Sequence, residues 1–330
     1  MIQIQKHRLK QLLNACKNKK AAVVGDIMLD RYIWGSVSRI SPEAPVPVVE
    51  VSEESSRIGG AANVANNIHS LGGVPLLFGV IGDDVPGNDL KEKLAETKME
   101  TFGIVTDKTR PTTMKTRIIA HNQHVVRTDF ELKNDIAGDI ADNLLNKLEG
   151  VIKELSIIIL QDYNKGVLTQ SCIERIISLA KEHGCPVTVD PKFNNFFEFR
   201  DVTLFKPNIK ETQSALGFIL DSEERIAAAG KLLIERLNSE HVLITRGSAG
   251  MSLFSQDGFS VNVPAKAKNI ADVSGAGDTV ISVLSMILAA GGDMLEAATV
   301  ANYAAGIVVG EVGIVPVELD TLEEAITNDG

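Results

Sequence analysis

The sequence predicts a doubly wound α/β fold, a mostly parallel sheet flanked by helices, with a small antiparallel β-lid. Three observations carry this. From about residue 135 onward, short apolar strands alternate with helical stretches. Polar residues recur at the carboxyl ends of those strands, where an open parallel sheet binds its ligands. Two stretches, at about 31–57 and 110–129, alternate in strand fashion without a crossover helix. They suit a separate sheet laid over a mouth in the main body, so the 330 residues read as one domain with two lid insertions.

Taken in order, residues 1–20 read as an amphipathic helix and 21–25 as a buried strand closed by glycine. Asp26 follows at its carboxyl end, either a turn-forming residue or a hydrogen-bonding partner for a polar ligand. The lid stretch contains prolines at 42, 45 and 47, which suit an edge strand. GGAAN at 59–63 opens a helix to residue 71. Its small residues serve close packing or close approach of a ligand, and Asn63 has both an amide donor and a carbonyl acceptor. A strand at 76–82 and a helix through residue 98 lead to the second lid stretch. Its Arg117 and Arg127 are either solvated strand positions or ligands for an anionic substrate.

The regular part places strands at 156–160, 186–189, 203–206 and 241–245, each set off by a helix, then a hairpin of 250–254 with 259–263. Asn208 and Glu211, three apart at a helix start, share a face. They form an ordinary first-turn pair or a place where a carboxylate meets Mg²⁺ through water. Apolar helices at about 280–290 and 297–309 close the domain. They are too short or too rich in small residues to span a bilayer.

Composition narrows the function. A net charge of −10 argues against a nucleic-acid binder. Three widely spaced cysteines give no zinc spacing and fit a reducing cytoplasm. The first twenty residues lack the apolar core of a signal peptide. No GxxxxGK[ST], GxGxxG after the first strand, HExxH or GxSxG occurs, which removes P-loop NTPases and weakens a dehydrogenase.

The stretch DVSGAGDT at 272–279 concentrates the remaining signal. A glycine turn running directly into a helix leaves backbone N–H groups unpaired beside the positive end of the helix dipole, a ready anion site. Gly275 and Gly277 permit close approach. Asp278 is then either a common first-turn aspartate or a base that takes a proton from a substrate hydroxyl.

These residues together resemble the ribokinase (PfkB) superfamily of ATP-dependent sugar kinases over nearly the full length. The likeness rests on GGAANVA at 59–65, DVSGAGD at 272–278 and NIKE at 208–211. Within it the chain is most similar to the D-glycero-D-manno-heptose 7-phosphate kinases. The segments GDIMLDRY at 25–32, SRISPEAPVPV at 38–48 and AHNQ at 120–123 with Arg127 and Asp129 carry that, as do DY and KG at 162–166 and DPK at 190–192. Val273 stands where the family has threonine. Many relatives carry a fused adenylyltransferase with an HxGH motif, absent here, so a stand-alone kinase is expected.

The resemblance implies roles. Asp278 would activate the anomeric hydroxyl, and Gly275, Ala276 and Gly277 would form the anion hole. Asn208 and Glu211 would order Mg²⁺ and phosphate, with Glu211 reaching the metal through water. Thr245, Gly247 and Asn302 would border ATP. Asp26, Gly60 and Asn63 would hold the sugar, and Lys165, Lys192, Arg117 and Arg127 are candidates for its phosphate. The product would be heptose 1,7-bisphosphate for ADP-heptose and surface lipopolysaccharide. The expected partners are a small-molecule sugar phosphate, ATP and a second copy bound through the β-lid, with no nucleic acid and no membrane. Rival readings are a kinase for another sugar, sugar phosphate or nucleoside, a dehydrogenase, and a non-catalytic sugar sensor.

Overall fold

The computed structural model describes residues 4–121, 123–266, 271–311, 313 and 315–328. The chain opens with helix α1 (Lys6–Cys16) and strand β1 (Lys20–Gly25). Two long lid strands follow, β2 (Ile27–Ile40) and β3 (Pro47–Gly60), then α2 (Ala61–Ser70), β4 (Val74–Gly82), α3 (Val85–Glu96) and β5 (Ile104–Asp107). The lid resumes with β6 (Met114–Ala120) and β7 (Gln123–Phe130). Then come α4 (Gly138–Glu149), β8 (Ile157–Gln161), α5 (Gln170–Glu182), β9 (Val187–Asp190) and β10 (Leu204–Phe205). The last part runs α6 (Ile209–Leu216), α7 (Glu223–Leu237), β11 (His241–Thr245), β12 (Met251–Ser255), β13 (Ser260–Val263), α8 (Ala276–Ala289), α9 (Met294–Val308) and α10 (Leu319–Thr327).

Nine strands form one sheet in the order β13-β12-β11-β10-β9-β8-β1-β4-β5, parallel from β11 to β5 and antiparallel at β11, β12 and β13. Alternation along each strand divides its side chains between two cores. Ala21, Val23, Ile157, Ile159 and Leu243 join the layer of α1, α2, α8, α9 and α10. Ala22, Val24, Ile158, Leu160, Val242 and Ile244 face α4, α5 and α7. Buried on both faces, these strands are near-continuous apolar runs. α8 is apolar nearly all round, as befits a helix buried on every side between the sheet, α2 and α9.

The second sheet is the lid, ordered β3-β2-β6-β7. β2 with β3 and β6 with β7 are antiparallel hairpins, and β2 joins β6 through a parallel seam. The expected pairing of the two insertions is therefore present. The lid strands are longer than their sequence pattern showed, because their inner ends, from Ile27 and up to Gly60, are buried in the main body and lose the alternation. β5 and α10 were not expected. Each is short, and α10 reveals itself only by Leu322 and Ile326 on one face. Helix α1 covers the middle of the expected 1–20, and Asn122 of the AHNQ segment lies outside the described residues, as do residues 1–3. No helix among the described residues is long and apolar enough to cross a membrane. Cys16, Cys172 and Cys185 are buried free thiols.

Candidate active site

The site forms where α8 begins. Gly275 caps the helix at φ 80°, a left-handed conformation glycine adopts without penalty. The first N–H to close a full helical bond is that of Thr279, to the Gly275 carbonyl at 2.9 Å. The Ala276 N–H lies 3.4 Å from the Val273 carbonyl, a weak contact. This end of the helix thus keeps its donors for an anion. A Cβ at Gly277 would meet nothing closer than Asp190 Oδ2 at 3.8 Å and Lys206 Nζ at 3.9 Å. The turn therefore faces a small open space backed by a buried ion pair, Lys206 with Asp190 at 3.1 Å.

Asp278, in the first turn, is 6% exposed. Its Oδ2 accepts the Asn63 amide at 2.7 Å. Its Oδ1 accepts the Tyr163 hydroxyl at 2.6 Å and, more distantly, the Gln161 amide at 3.3 Å. Burial pushes the carboxyl up to about 6, against the downward pull of the Tyr163 and Asn63 hydrogen bonds. Burial first, then the charge of Asp278, drives the Tyr163 hydroxyl well above its usual range, so it stays protonated and donates. Asp278 is consequently a carboxylate at neutral pH with a strengthened basicity, as a general base needs.

Tyr163 is held by the loop after β8. Asp26, at the end of β1, accepts the N–H groups of Tyr163 at 2.7 Å, Lys165 at 3.0 Å and Val167 at 3.2 Å. Burial still raises its own pKa despite those bonds. Both oxygens of Asp26 are thereby engaged, and its carboxylate shapes the loop that sets Tyr163 against Asp278. Gly60 is pressed against the same strand end: at φ 60°, a Cβ there would lie 2.3 Å from the Asp26 carbonyl oxygen. Asn63, in the first turn of α2, reaches Asp278 directly.

The remaining candidates divide. Lys192 pairs with Glu211 and stands 5.6 Å from the centre of the Tyr163 ring. Burial opposes its charge, but Asp190 and Glu211 outweigh that and push it up to about 12. Glu211 and Asn208 form a reciprocal capping box at the start of α6, so both do helix-capping work, and one Glu211 oxygen also meets Lys192. Lys165 bonds Glu131 at 2.7 Å. Arg117 pairs with Asp30 in the lid and lies over Tyr32, 5.2 Å from its ring centre. Arg127 is exposed and bonds Asp129 at 2.9 Å.

Behind the turn lies a groove of about 190 Å³ lined by Thr245, Gly247, Ala276, Gly277, Val280, Asn302, Ala305 and neighbours. Its walls combine backbone and small apolar side chains with Thr245, Ser248, Met251, Asn302 and Lys266. Asn302 donates its amide to the Pro264 carbonyl at 2.7 Å and so fixes the loop after β13. Val273 is 67% exposed at its rim. The N-terminus of α8 thus borders an apolar groove on one side and a crowded polar chamber under the lid on the other. Sequence reasoning had not singled out Tyr163, Gln161, Asp190, Lys206 or Lys115 as site residues. Tyr163, Gln161 and Asp190 sit at carboxyl ends of parallel strands, and Tyr163 and Asp190 also fall in segments shared with the heptose kinases, two signals that could have raised them.

Comparison with known proteins agrees with this geometry. The family model described as pfkB family carbohydrate kinase matches residues 18–321. The bifunctional protein HldE of Geotalea uraniireducens is 41% identical over 310 residues, covering 94% of this chain and 63% of that protein. HldE of Helicobacter pylori is 43% identical over 295 residues, covering 89% and 64% respectively. The chain therefore spans a little under two thirds of the length of these curated relatives. In fold it is similar to Arabidopsis thaliana ribokinase complexed with ribose and ATP, with a TM-score of 0.75 at 18% identity over 94% of this chain and 99% of that one. It is likewise similar to Escherichia coli phosphofructokinase-2, with a TM-score of 0.78 at 16% identity over 94% and 99%. A family model matched over most of the chain and relatives above 40% identity show that the chain belongs to the pfkB family of carbohydrate kinases.

Proposed function

We propose that this sugar kinase transfers the terminal phosphoryl group of ATP to the anomeric hydroxyl of D-glycero-D-manno-heptose 7-phosphate, giving heptose 1,7-bisphosphate for ADP-heptose synthesis. The observation that carries the reading is Asp278, a buried carboxylate fixed by Asn63 and Tyr163 at the seam between the apolar groove and the lidded chamber. Similarity to the HldE proteins and the segments shared with heptose kinases support the acceptor. So does the set of cationic side chains around Tyr163, which suits an acceptor already carrying phosphate.

In this mechanism ATP lies in the groove with its terminal phosphate at the α8 turn. The acceptor hydroxyl comes within about 3 Å of Asp278, which takes its proton as the oxygen bonds to phosphorus. The bond from phosphorus to the bridging oxygen of ADP breaks. The N–H groups of residues 275–277, backed by Lys206, face the charge that develops on the transferring group. The lid excludes water and so limits hydrolysis of ATP.

Mg²⁺ needs few protein ligands when nucleotide phosphates supply the rest. Among the described residues no cluster of three His, Cys, Asp or Glu could hold a metal ion by itself. Glu211, with one oxygen in its cap and the other beside Lys192, fits an outer contact through water, and Asn208 adjoins it. Bound there, the ion would neutralise phosphate charge.

The lid also supports a homodimer. β7 is exposed along its length as an unpaired edge and presents Val125, Val126 and Phe130. Free buried thiols agree with a reducing cytoplasm as its place of action. The deciding experiment incubates the protein with ATP, Mg²⁺ and heptose 7-phosphate beside a panel of sugars, sugar phosphates and nucleosides. The expected result is a 1,7-bisphosphate by phosphorus NMR. Turnover of another panel member with none of the heptose would overturn this acceptor.

A further inference from the structure

Five cationic side chains surround the chamber beneath the lid: Lys115, Arg117, Lys165, Lys192 and Lys206. Four are committed. Arg117 holds Asp30, Lys165 holds Glu131, Lys192 holds Glu211 and Lys206 holds Asp190. Lys115 has no carboxylate within ion-pair distance among the described residues. The acids nearest it in the sheet are spent on others. Asp30, its register partner on β2, is taken by Arg117. Asp129, its partner on β7, is taken by Arg127. Lys115 is nevertheless half-buried, and its ammonium stands 5.4 Å from the centre of the Tyr163 ring. The hydroxyl of that ring is 2.6 Å from Asp278.

A lysine drawn out of water without a counter-ion carries a desolvation cost that a bound anion would relieve. Burial lowers its pKa, with Asp30, Asp129 and Glu131 acting against that from beyond ion-pair distance and Lys165 adding to it. Its distance from the base is also bounded: it can be no further than one tyrosine side chain and two contacts allow. A small sugar spans such a gap from the hydroxyl at one end to a substituent at the other.

Building on the proposed kinase reaction, we infer that Lys115 is the specificity residue that receives the acceptor's own phosphate monoester, with the Tyr163 ring as the platform between that phosphate and the base. Phosphate here means a group on a carbon remote from the hydroxyl that reacts. Arg117 and Lys165 shape the chamber through their acid partners and do not supply this contact. Lys115 lies on the lid, so a phosphorylated acceptor draws the lid strand β6 onto the main body as it binds.

The test measures acceptor kinetics of Lys115→Met, which keeps the buried stem and removes the charge. Against the best sugar phosphate of the panel, KM should rise roughly 10- to 100-fold, the range for losing a charge-assisted contact. The kcat and the KM for ATP should change little, and Lys115→Arg should recover most of the loss. Turnover of the matching unphosphorylated sugar should fall by a much smaller factor in Lys115→Met than turnover of the sugar phosphate. Inorganic phosphate should compete with the acceptor in the wild type and lose that effect in Lys115→Met. The subsite is refuted if Lys115→Met leaves KM for the sugar phosphate unaltered, or weakens phosphorylated and unphosphorylated acceptors equally. The two ideas fail separately. An enzyme that ignores heptose 7-phosphate but shows a Lys115-dependent KM for another sugar phosphate loses the heptose reading and keeps the subsite. An enzyme that uses heptose 7-phosphate with a KM indifferent to Lys115 keeps the reaction and loses the subsite.

Discussion

The two sides of the α8 N-terminus are built from different materials. The groove side has Ala276, Val280, Ala305 and glycine backbone, with Thr245, Ser248, Asn302 and Lys266 as its polar side chains. The lid side packs Asp26, Asn63, Gln161, Tyr163, Asp190 and Asp278 into one bonded network with lysines around it. An apolar slot suits a ligand recognised by shape, while oriented polar groups suit one whose single hydroxyl must be placed against a base. On the proposed reading, the contrast teaches that one helix terminus would serve a generic donor on one face and a selective acceptor on the other.

Substitutions on each side should therefore separate cleanly. The largest effect is expected from Asp278→Asn, which keeps shape and removes the base: kcat should fall about 10³-fold with the KM for ATP unchanged, measured by ADP release. Gly277→Ala, on the seam, should be next. The added methyl has room and a helical position, so thermal stability should hold or rise by up to about 1 kcal/mol. It fills space in front of Lys206 and Asp190, so kcat should fall about 30-fold if an anion must sit there. Ala305→Leu, on the groove side, should raise KM for ATP about tenfold and leave acceptor KM alone. A variant that changed both KM values equally would dissolve the distinction between the sides.

Much of this was legible in the sequence. The period-two split of 21–24 and 157–160 between two cores follows from apolar strands flanked by helices, and the lid's alternation marked it as a separate sheet. Asp278, Gly275 and Gly277 stood out because a glycine turn running straight into an apolar helix makes an anion site, although Asp278 by itself read equally well as a first-turn aspartate. The network around the base was not legible. Tyr163 reaches Asp278 across 115 residues of sequence, and its placement depends on three N–H bonds to Asp26 that no local pattern encodes. The same holds for Lys115, conspicuous only once its neighbouring acids are seen to be occupied. Asp26 and Glu211 show the converse. Their strand-end and helix-start positions were visible, whereas the loop-holding and capping bonds appear only in three dimensions.

A smaller effect sharpens the lid side further. Asp162 is 1% exposed and is pushed up to about 7 by burial and by Asp26. With a folded value above its ordinary 3.8, it contributes stability at low pH that is lost as pH rises toward about 7. Asp162→Asn cannot ionise, so its stability relative to wild type should improve by about 2 kcal/mol between pH 5 and pH 8, read by urea unfolding. A difference that does not vary with pH would show that Asp162 ionises without cost.

The most direct test of the account is the pH dependence of kcat/KM for the acceptor in the wild type and in Tyr163→Phe. Asp278 at about 6 predicts a single-proton acid limb near that value, with activity lost as the carboxylate protonates. Removing the Tyr163 hydroxyl takes away a bond that favours the ionised form, so the limb should move to higher pH while the KM for ATP stays constant. A profile flat through pH 6, or a limb that stays in place in Tyr163→Phe, would contradict a base at Asp278 tuned by Tyr163.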